Sequence, residues 1–218
     1  MALSKLNFNS LNVTPTANKG IGFDSGADDL EASFSGGSMT FIKKLTASSS
    51  GTLSFVDGAS SVVLDNTYKE YVFIFNNMHP ANDGVALRFN LSTDSGSNYN
   101  VTKTTTLFRS IHNEDDSTSF GYRTGEDQAQ STAFQDLHTN SGNDNDQCMV
   151  GTLHLFNPSS TTFVKHFISR MQSYAEGNWS QEFYMAGYGN TTSAVDAIQF
   201  KMASGNIDAG TITLYGIN

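Results

Sequence analysis

The sequence predicts an all-β protein, and three observations carry that expectation. Composition comes first: of 218 residues, 12 are Lys or Arg and 21 are Asp or Glu, while 27 Ser, 22 Thr and 20 Asn fill close to a third of the chain. A helical bundle or coiled coil would instead draw about half its residues from Ala, Glu, Lys, Leu and Arg. The second observation is alternation of apolar and polar residues with period two from residue 39 onward, in runs bounded by turn residues. The third is that no window holds a 3.6-residue apolar period through three turns. Sixteen Phe and eight Tyr bring enough apolar area for a core, which excludes a disordered chain.

Residues 1–38 stand apart from the strands. Leu6, Phe8, Leu11, Val13, Ile21 and Phe23 are isolated among Asn, Ser, Gly and Asp, with no sustained period. They cannot form a core of their own, but each can fill a pocket on a partner. Ser35-Gly36-Gly37-Ser38 reads as a flexible joint. The expectation is an extended N-terminal docking arm over 1–38 and a β-domain over 39–218.

Within that domain, residues 39–45 form the first strand, ended by Ala47-Ser48-Ser49-Ser50-Gly51. Residues 52–56 follow, closed by the turn pair Asp57-Gly58. Residues 68–78 are apolar on both faces at their centre, which predicts a strand covered on both sides. Residues 85–91 alternate, with Val85, Leu87, Phe89 and Leu91 on one face and Ala86, Arg88 and Asn90 on the other. A Thr-rich strand spans 102–108. The stretch 110–146 carries three acidic clusters and reads as long loops with one or two short strands. Strands resume at 147–156, 161–174, 181–188, 197–203 and 211–217. Eight to ten strands without a helix close most simply as a two-sheet antiparallel sandwich, and the jelly roll is the common version at this length.

A net charge of −9 with scattered basic residues excludes a phosphate-backbone binder and disfavours anionic lipid. The longest apolar run, 71–75, is far too short to span a bilayer, and the first 16 residues lack the apolar stretch of a secretory signal. The expectation is a protein made without export, with no nucleic-acid partner and no membrane insertion. Cys148 is the single cysteine, so no intrachain disulfide forms. It reads as a buried small hydrophobe near a strand start ahead of a catalytic thiol.

No constellation fixes a reaction. Asn143-Asp144-Asn145-Asp146 offers oxygens to Ca²⁺, yet lacks the EF-hand's glycine and terminal Glu, so a solvated turn is the default. His154 and His166 fall in neighbouring strands and could meet a metal on an outward face, although cross-strand polar contact is commoner. Neither a nucleophile elbow nor a phosphate loop is present. The expectation is no catalytic residue, no cofactor and no metal. An aromatic group (Tyr174, Trp179, Phe183, Tyr184, Tyr188) is more informative. Phe183 faces opposite to Tyr184 and Tyr188 and belongs to the core. Trp179, Tyr184 and Tyr188 are the candidate glycan or receptor contacts, because aromatic faces combine apolar area with a polar rim.

Five phrases carry a resemblance: the opening MALSKLNFNSLNVTPTANKGIGFDSGADDLE, then GGSMTFIKKLTASSSGTLSFVDG, LDNTYKEYVFIFNNMHP, HLFNPSSTTFVKHFISR and the ending GNIDAGTITLYGI. Together they resemble virion-associated structural proteins of marine tailed bacteriophages, of the tail or head fibre, appendage or decoration type. The resemblance implies a non-enzymatic virion protein assembled in the host cytoplasm. It implies docking to other virion proteins through the N-terminal arm, with Leu6, Phe8, Leu11, Val13, Ile21 and Phe23 as the contacts, and a β-sandwich projecting outward. A homo-oligomer, with a trimer favoured, would close exposed sheet edges. A carbohydrate-binding module that recognises a host surface glycan is the alternative reading. A polysaccharide-degrading enzyme ranks third, given the small size and the lack of repeats.

Overall fold

A computed structural model describes residues 20–23, 30–34 and 38–218. The chain divides into two compact units with the break between Thr40 and Phe41. In the first, β1 (Gly20–Phe23) pairs antiparallel with β2 (Leu30–Phe34), Phe23 opposite Leu30. Ile21 and Phe23 therefore lie on a paired strand. Leu6, Phe8, Leu11 and Val13 lie outside the described residues.

From Met39 onward twelve strands follow among the described residues, and there is no helix. They are β3 (Met39–Thr46), β4 (Leu53–Val56), β5 (Glu70–Pro80), β6 (Val85–Ser92), β7 (Lys103–Asn113), β8 (Thr118–Tyr122), β9 (Gln135–Ser141), β10 (Met149–Phe156), β11 (Lys165–Tyr174), β12 (Trp179–Gly189), β13 (Ala197–Met202) and β14 (Ile207–Ile217). One sheet has eight strands in the order β3-β14-β5-β10-β11-β12-β7-β8, and the other has four in the order β4-β13-β6-β9.

These orders contain a jelly roll. First pairs with last and the pairing nests inward: β3 with β14, β4 with β13, β5 with β10, β6 with β9. Such a nest is a long hairpin wound into two Greek keys, with four strands in each sheet. Two hairpins interrupt it. β7–β8 lies between β6 and β9 in sequence, and β11–β12 between β10 and β13. Both join the same sheet beyond β10, which doubles its width and leaves the four-stranded sheet narrower than its partner.

Phenylalanines from both sheets meet in the core. Phe200 of β13 packs against Phe73 and Phe75 of β5 at centroid distances of 5.5 and 5.1 Å, and Phe55 of β4 packs edge-on against Phe73 at 5.3 Å and Phe200 at 6.3 Å. Phe89 of β6 meets Phe167 of β11 at 5.2 Å. All six rings are fully buried or nearly so. Each is placed by period-two alternation, which sends every second side chain of a strand inward. Edge-to-face pairs add about 0.5–1.5 kcal/mol each beyond their area burial.

Three expectations need correction. The Thr-rich strand extends to Asn113 rather than ending at 108, whereas β8 and β9 are the short strands expected within 110–146. The polar inward residues of β9 are satisfied across the sandwich: Gln135 accepts from the Thr105 hydroxyl at 2.7 Å, and His138 Nε2 lies 3.2 Å from the Gln181 amide. β5 is not covered on both sides. Tyr71, Phe73 and Phe75 point into the core, while Val72 and Ile74 belong to the outer face. Val72 is buried there beside its register neighbours Tyr215 and His154, and Ile74 stays partly exposed. Cys148 is half-buried, its sulfur 3.9 Å from the Asn77 side-chain oxygen.

Among the described residues, two lysines are fully buried without a carboxylate partner. Lys103 donates to the Asn90 side-chain oxygen at 2.6 Å and to the Val101 carbonyl at 2.9 Å. Burial pushes its ammonium down to about 8. Lys165 donates to the carbonyls of Phe163 at 2.7 Å and Thr191 at 3.2 Å. Both tie loop backbone to the end of a strand.

Candidate functional site

Where the eight-stranded sheet outruns the four-stranded one, its inner face opens into a cleft. The inward side chains of β7 record the change. Lys103, Thr105 and Leu107 are buried, whereas Arg109, Ile111 and Asn113 are only half-buried. A cleft of about 440 Å³ is lined by Arg109, Ile111, Asn113, Ser119, Arg123, Asn140 and Trp179. A second cleft, of about 530 Å³, shares Arg123 and Asn140 and runs on past Arg88, Glu126 and Asp136.

Arginine is the distinguishing residue here. The chain has four, and three of them line these adjoining clefts. Arg88 is paired with Asp136, and Arg123 with Glu126 at 2.6 Å. Burial raises the Asp136 carboxyl, and Arg88 pulls the other way. Arg109 differs: among the described residues no carboxylate lies within ion-pair distance of it. Its nearest polar partner is the Asn140 side-chain oxygen at 3.5 Å, and its guanidinium lies 5.8 Å from the centre of the Phe183 ring. Burial, then the like charge of Arg123, lowers its pKa.

A buried polar network fixes the floor. The Gln181 amide donates to the Thr139 carbonyl at 2.6 Å and stands 3.2 Å from His138 Nε2. Burial, helped by Arg109, pushes His138 down to about 3, so the imidazole is neutral at ordinary pH. Asn140 adopts a φ of 58°, and its amide donates to Glu176 at 2.7 Å. Trp179 opens β12 after a turn in which Asn178 N–H donates to the Ala175 carbonyl at 2.9 Å. Gly177 is required in that turn, since a Cβ there would sit 1.6 Å from the indole ring. The indole Nε1 is shielded and has no hydrogen-bond partner among the described residues, so carbon is what the ring offers to the cleft.

The opposite face of the same strands is aromatic. Tyr184 stacks on Phe108 with centroids 4.8 Å apart and planes 14° apart, and Phe120 meets Phe108 at 5.5 Å. Arg170 lies 5.3 Å from the Tyr184 ring centre and pairs with Glu182, which also accepts the Tyr184 hydroxyl at 2.9 Å. Burial alone would raise the Glu182 carboxyl, but these hydrogen bonds outweigh it and lower it. Phe120 is 72% exposed, Ile168 53% and Tyr122 52%.

The predicted contact residues therefore do not share a surface. Trp179 has the parity of Phe183 and lines the inner cleft, whereas Tyr184 and Tyr188 point outward. Tyr188 sits beside His166, centroids 6.2 Å apart and four residues along β12 from Tyr184. His154 and His166 do not meet. His154 pairs with Glu70 at 2.6 Å and is opposite Ile168 in the register. Among the described residues no group of three or more His, Cys, Asp or Glu is placed to hold a metal, and no helix is long and apolar enough to cross a membrane. The 143–146 loop is used locally: the Asp144 carbonyl accepts from Gln147 N–H at 2.9 Å and lies 3.2 Å from His79 Nε2.

Arg88, Arg109, Arg123 and Asn140 are the residues that sequence reasoning misses. The one available signal is the scarcity of arginine, since spacings of 21 and 14 residues give no local motif. No family model matches the chain, and no curated protein or solved structure matches it.

Proposed function

We propose that this chain is a non-enzymatic structural protein of a tailed-bacteriophage particle, of the fibre, appendage or decoration type. It docks to other virion proteins through its N-terminal segment, displays the jelly roll outward and assembles as a homo-oligomer, a trimer by preference. The observation that carries this reading is the outward face of the wide sheet. Phe108, Phe120, Tyr122 and Ile168 stand exposed together on one side of neighbouring strands. A lone soluble domain seldom leaves so much aromatic surface in water, and contact with a neighbouring subunit would cover it. Jelly rolls serve in both viral capsid and lectin domains, which is compatible with this reading but does not by itself decide function.

Mass spectrometry of purified particles tests the proposal. It should detect the chain at tens to hundreds of copies for a decoration protein, or a few multiples of three for fibres. Absence from particles would end the proposal. Removing residues 1–38 should abolish attachment and leave a folded β-domain. Recognition of a host glycan is the second reading, favoured by the Trp179–Arg109 cleft on the other face.

A further inference from the structure

The geometry points to the cleft beneath the overhanging strands β7, β8 and β12 as a binding site for an acidic saccharide, whose anionic group pairs with Arg109 while a sugar ring packs on Trp179. This site is a property of the β-domain and does not depend on the particle reading.

Three features single out this ligand class. The first is charge. In a chain of net charge −9, Arg109 is the arginine with no carboxylate within ion-pair distance among the described residues; burial and then Arg123 lower its pKa, and the Arg123-paired Glu126 acts on it the other way. A guanidinium presents a rigid fork of donors, and its best partner is a planar or tetrahedral anion that accepts two hydrogen bonds at once. Asn140 alone, at 3.5 Å, leaves most of that fork unused. Second, the indole of Trp179 lines the same cleft with carbon, and sugar rings offer a C–H face to such a surface. Third, beside Ile111 and the Glu126-paired Arg123, the wall carries the neutral polar side chains of Asn113, Ser119 and Asn140. These suit hydroxyl groups, and a volume of about 440 Å³ fits one or two sugar rings. The architecture also explains why the cleft exists, because the four-stranded sheet ends at β9, whose Asn140 meets Arg109 while Ile111 and Asn113 further along β7 stay half-buried.

The outward aromatic face is a weaker saccharide site. Its arginine, Arg170, is already paired with Glu182, and Tyr184 is stacked on Phe108 rather than free.

The experiment is binding of the full chain to immobilised oligosaccharides in three groups: carboxylated, sulfated and neutral. Acidic members should bind and their neutral counterparts should not, with the carboxylated and sulfated arms separating the two anion types. Arg109→Gln should weaken the best acidic ligand at least about tenfold, the loss of one charge-assisted hydrogen-bond pair. Arg109→Lys should restore only part of it, because the charge returns without the fork. Trp179→Ala should weaken it comparably, while Tyr184→Ala on the other face should leave it unchanged. A thermal melt of each variant separates a lost site from a lost fold. The inference is overturned if no acidic glycan binds, if neutral glycans bind as well as acidic ones, or if folded Arg109→Gln binds as the parent does.

Discussion

The wide sheet has a roofed half and a bare half, built by the same alternation with different residues in the inward positions. Under the four-stranded sheet those positions hold Phe73, Phe75, Phe167, Leu153 and Leu214, all buried in one apolar cluster. Beyond it they hold Arg109, Ile111, Asn113 and Trp179, half-buried around a cleft. Between the two lies a polar seam (His138, Gln181, Thr105, Gln135) in which buried groups pair across the sheets. Stability is concentrated in the roofed half, and the proposed recognition site lies in the bare one. Apolar inward residues need a roof and provide folding energy, whereas polar ones tolerate water and stay available to a ligand.

The largest test of this division is in the roofed half. Phe200→Ala removes a ring that touches three others, and should cost about 3–5 kcal/mol by denaturant unfolding. A loss below 1 kcal/mol would mean that the phenyl cluster is not the stabilising centre.

The seam supplies the next effect, read as pH dependence. His138 titrates near 6.5 when unfolded and is pushed down to about 3 when folded. Above pH 6.5 both states are neutral and the group contributes its full stability. As pH falls below 6.5 only the unfolded state takes the proton, so stability declines by about 1.4 kcal/mol per pH unit from this group. Between pH 6.5 and 5, above the main carboxylate range, the parent should lose stability faster than His138→Gln. Equal slopes would contradict a neutral buried imidazole.

A smaller change is expected at the rim of the bare half. Gly177→Ala forces the indole off its turn and should cost about 1–3 kcal/mol, with loss of glycan binding in a protein that still folds. The smallest change in folding is expected on the outward face. Phe120→Ser should leave stability within about 0.5 kcal/mol of the parent, because the ring is exposed. It should nevertheless weaken self-association in analytical ultracentrifugation. Unchanged association would remove the aromatic face from the assembly reading.

The roofed half is legible in the sequence because its signal is local. Ile198, Phe200 and Met202 alternate with Gln199 and Lys201 in β13, and they alternate in space as well. The alternation of β12 also separates Phe183 from Tyr184 correctly. The seam and the bare half are not legible in this way. β9 is legible only as one of the short strands expected within 110–146, because its inward residues are polar and what satisfies them comes from β7 and β12, about 30 and 43 residues away. The same limit hides the cleft. Arg88, Arg109 and Arg123 look scattered along the chain, and only the order β6-β9 in one sheet and β12-β7-β8 in the other brings them to adjoining walls. Trp179 is singled out by its aromatic character, but parity with Phe183 rather than Tyr184 decides which face it serves.

A cryo-EM map of the intact particle would decide where this chain sits and which of its faces is covered. Copies of this chain are expected on the particle surface, with the aromatic outer face of the wide sheet covered by a neighbouring subunit and the Arg109–Trp179 cleft open to solvent. Particles without the chain, or a map in which the aromatic face is bare and the cleft is sealed against a neighbour, would contradict it.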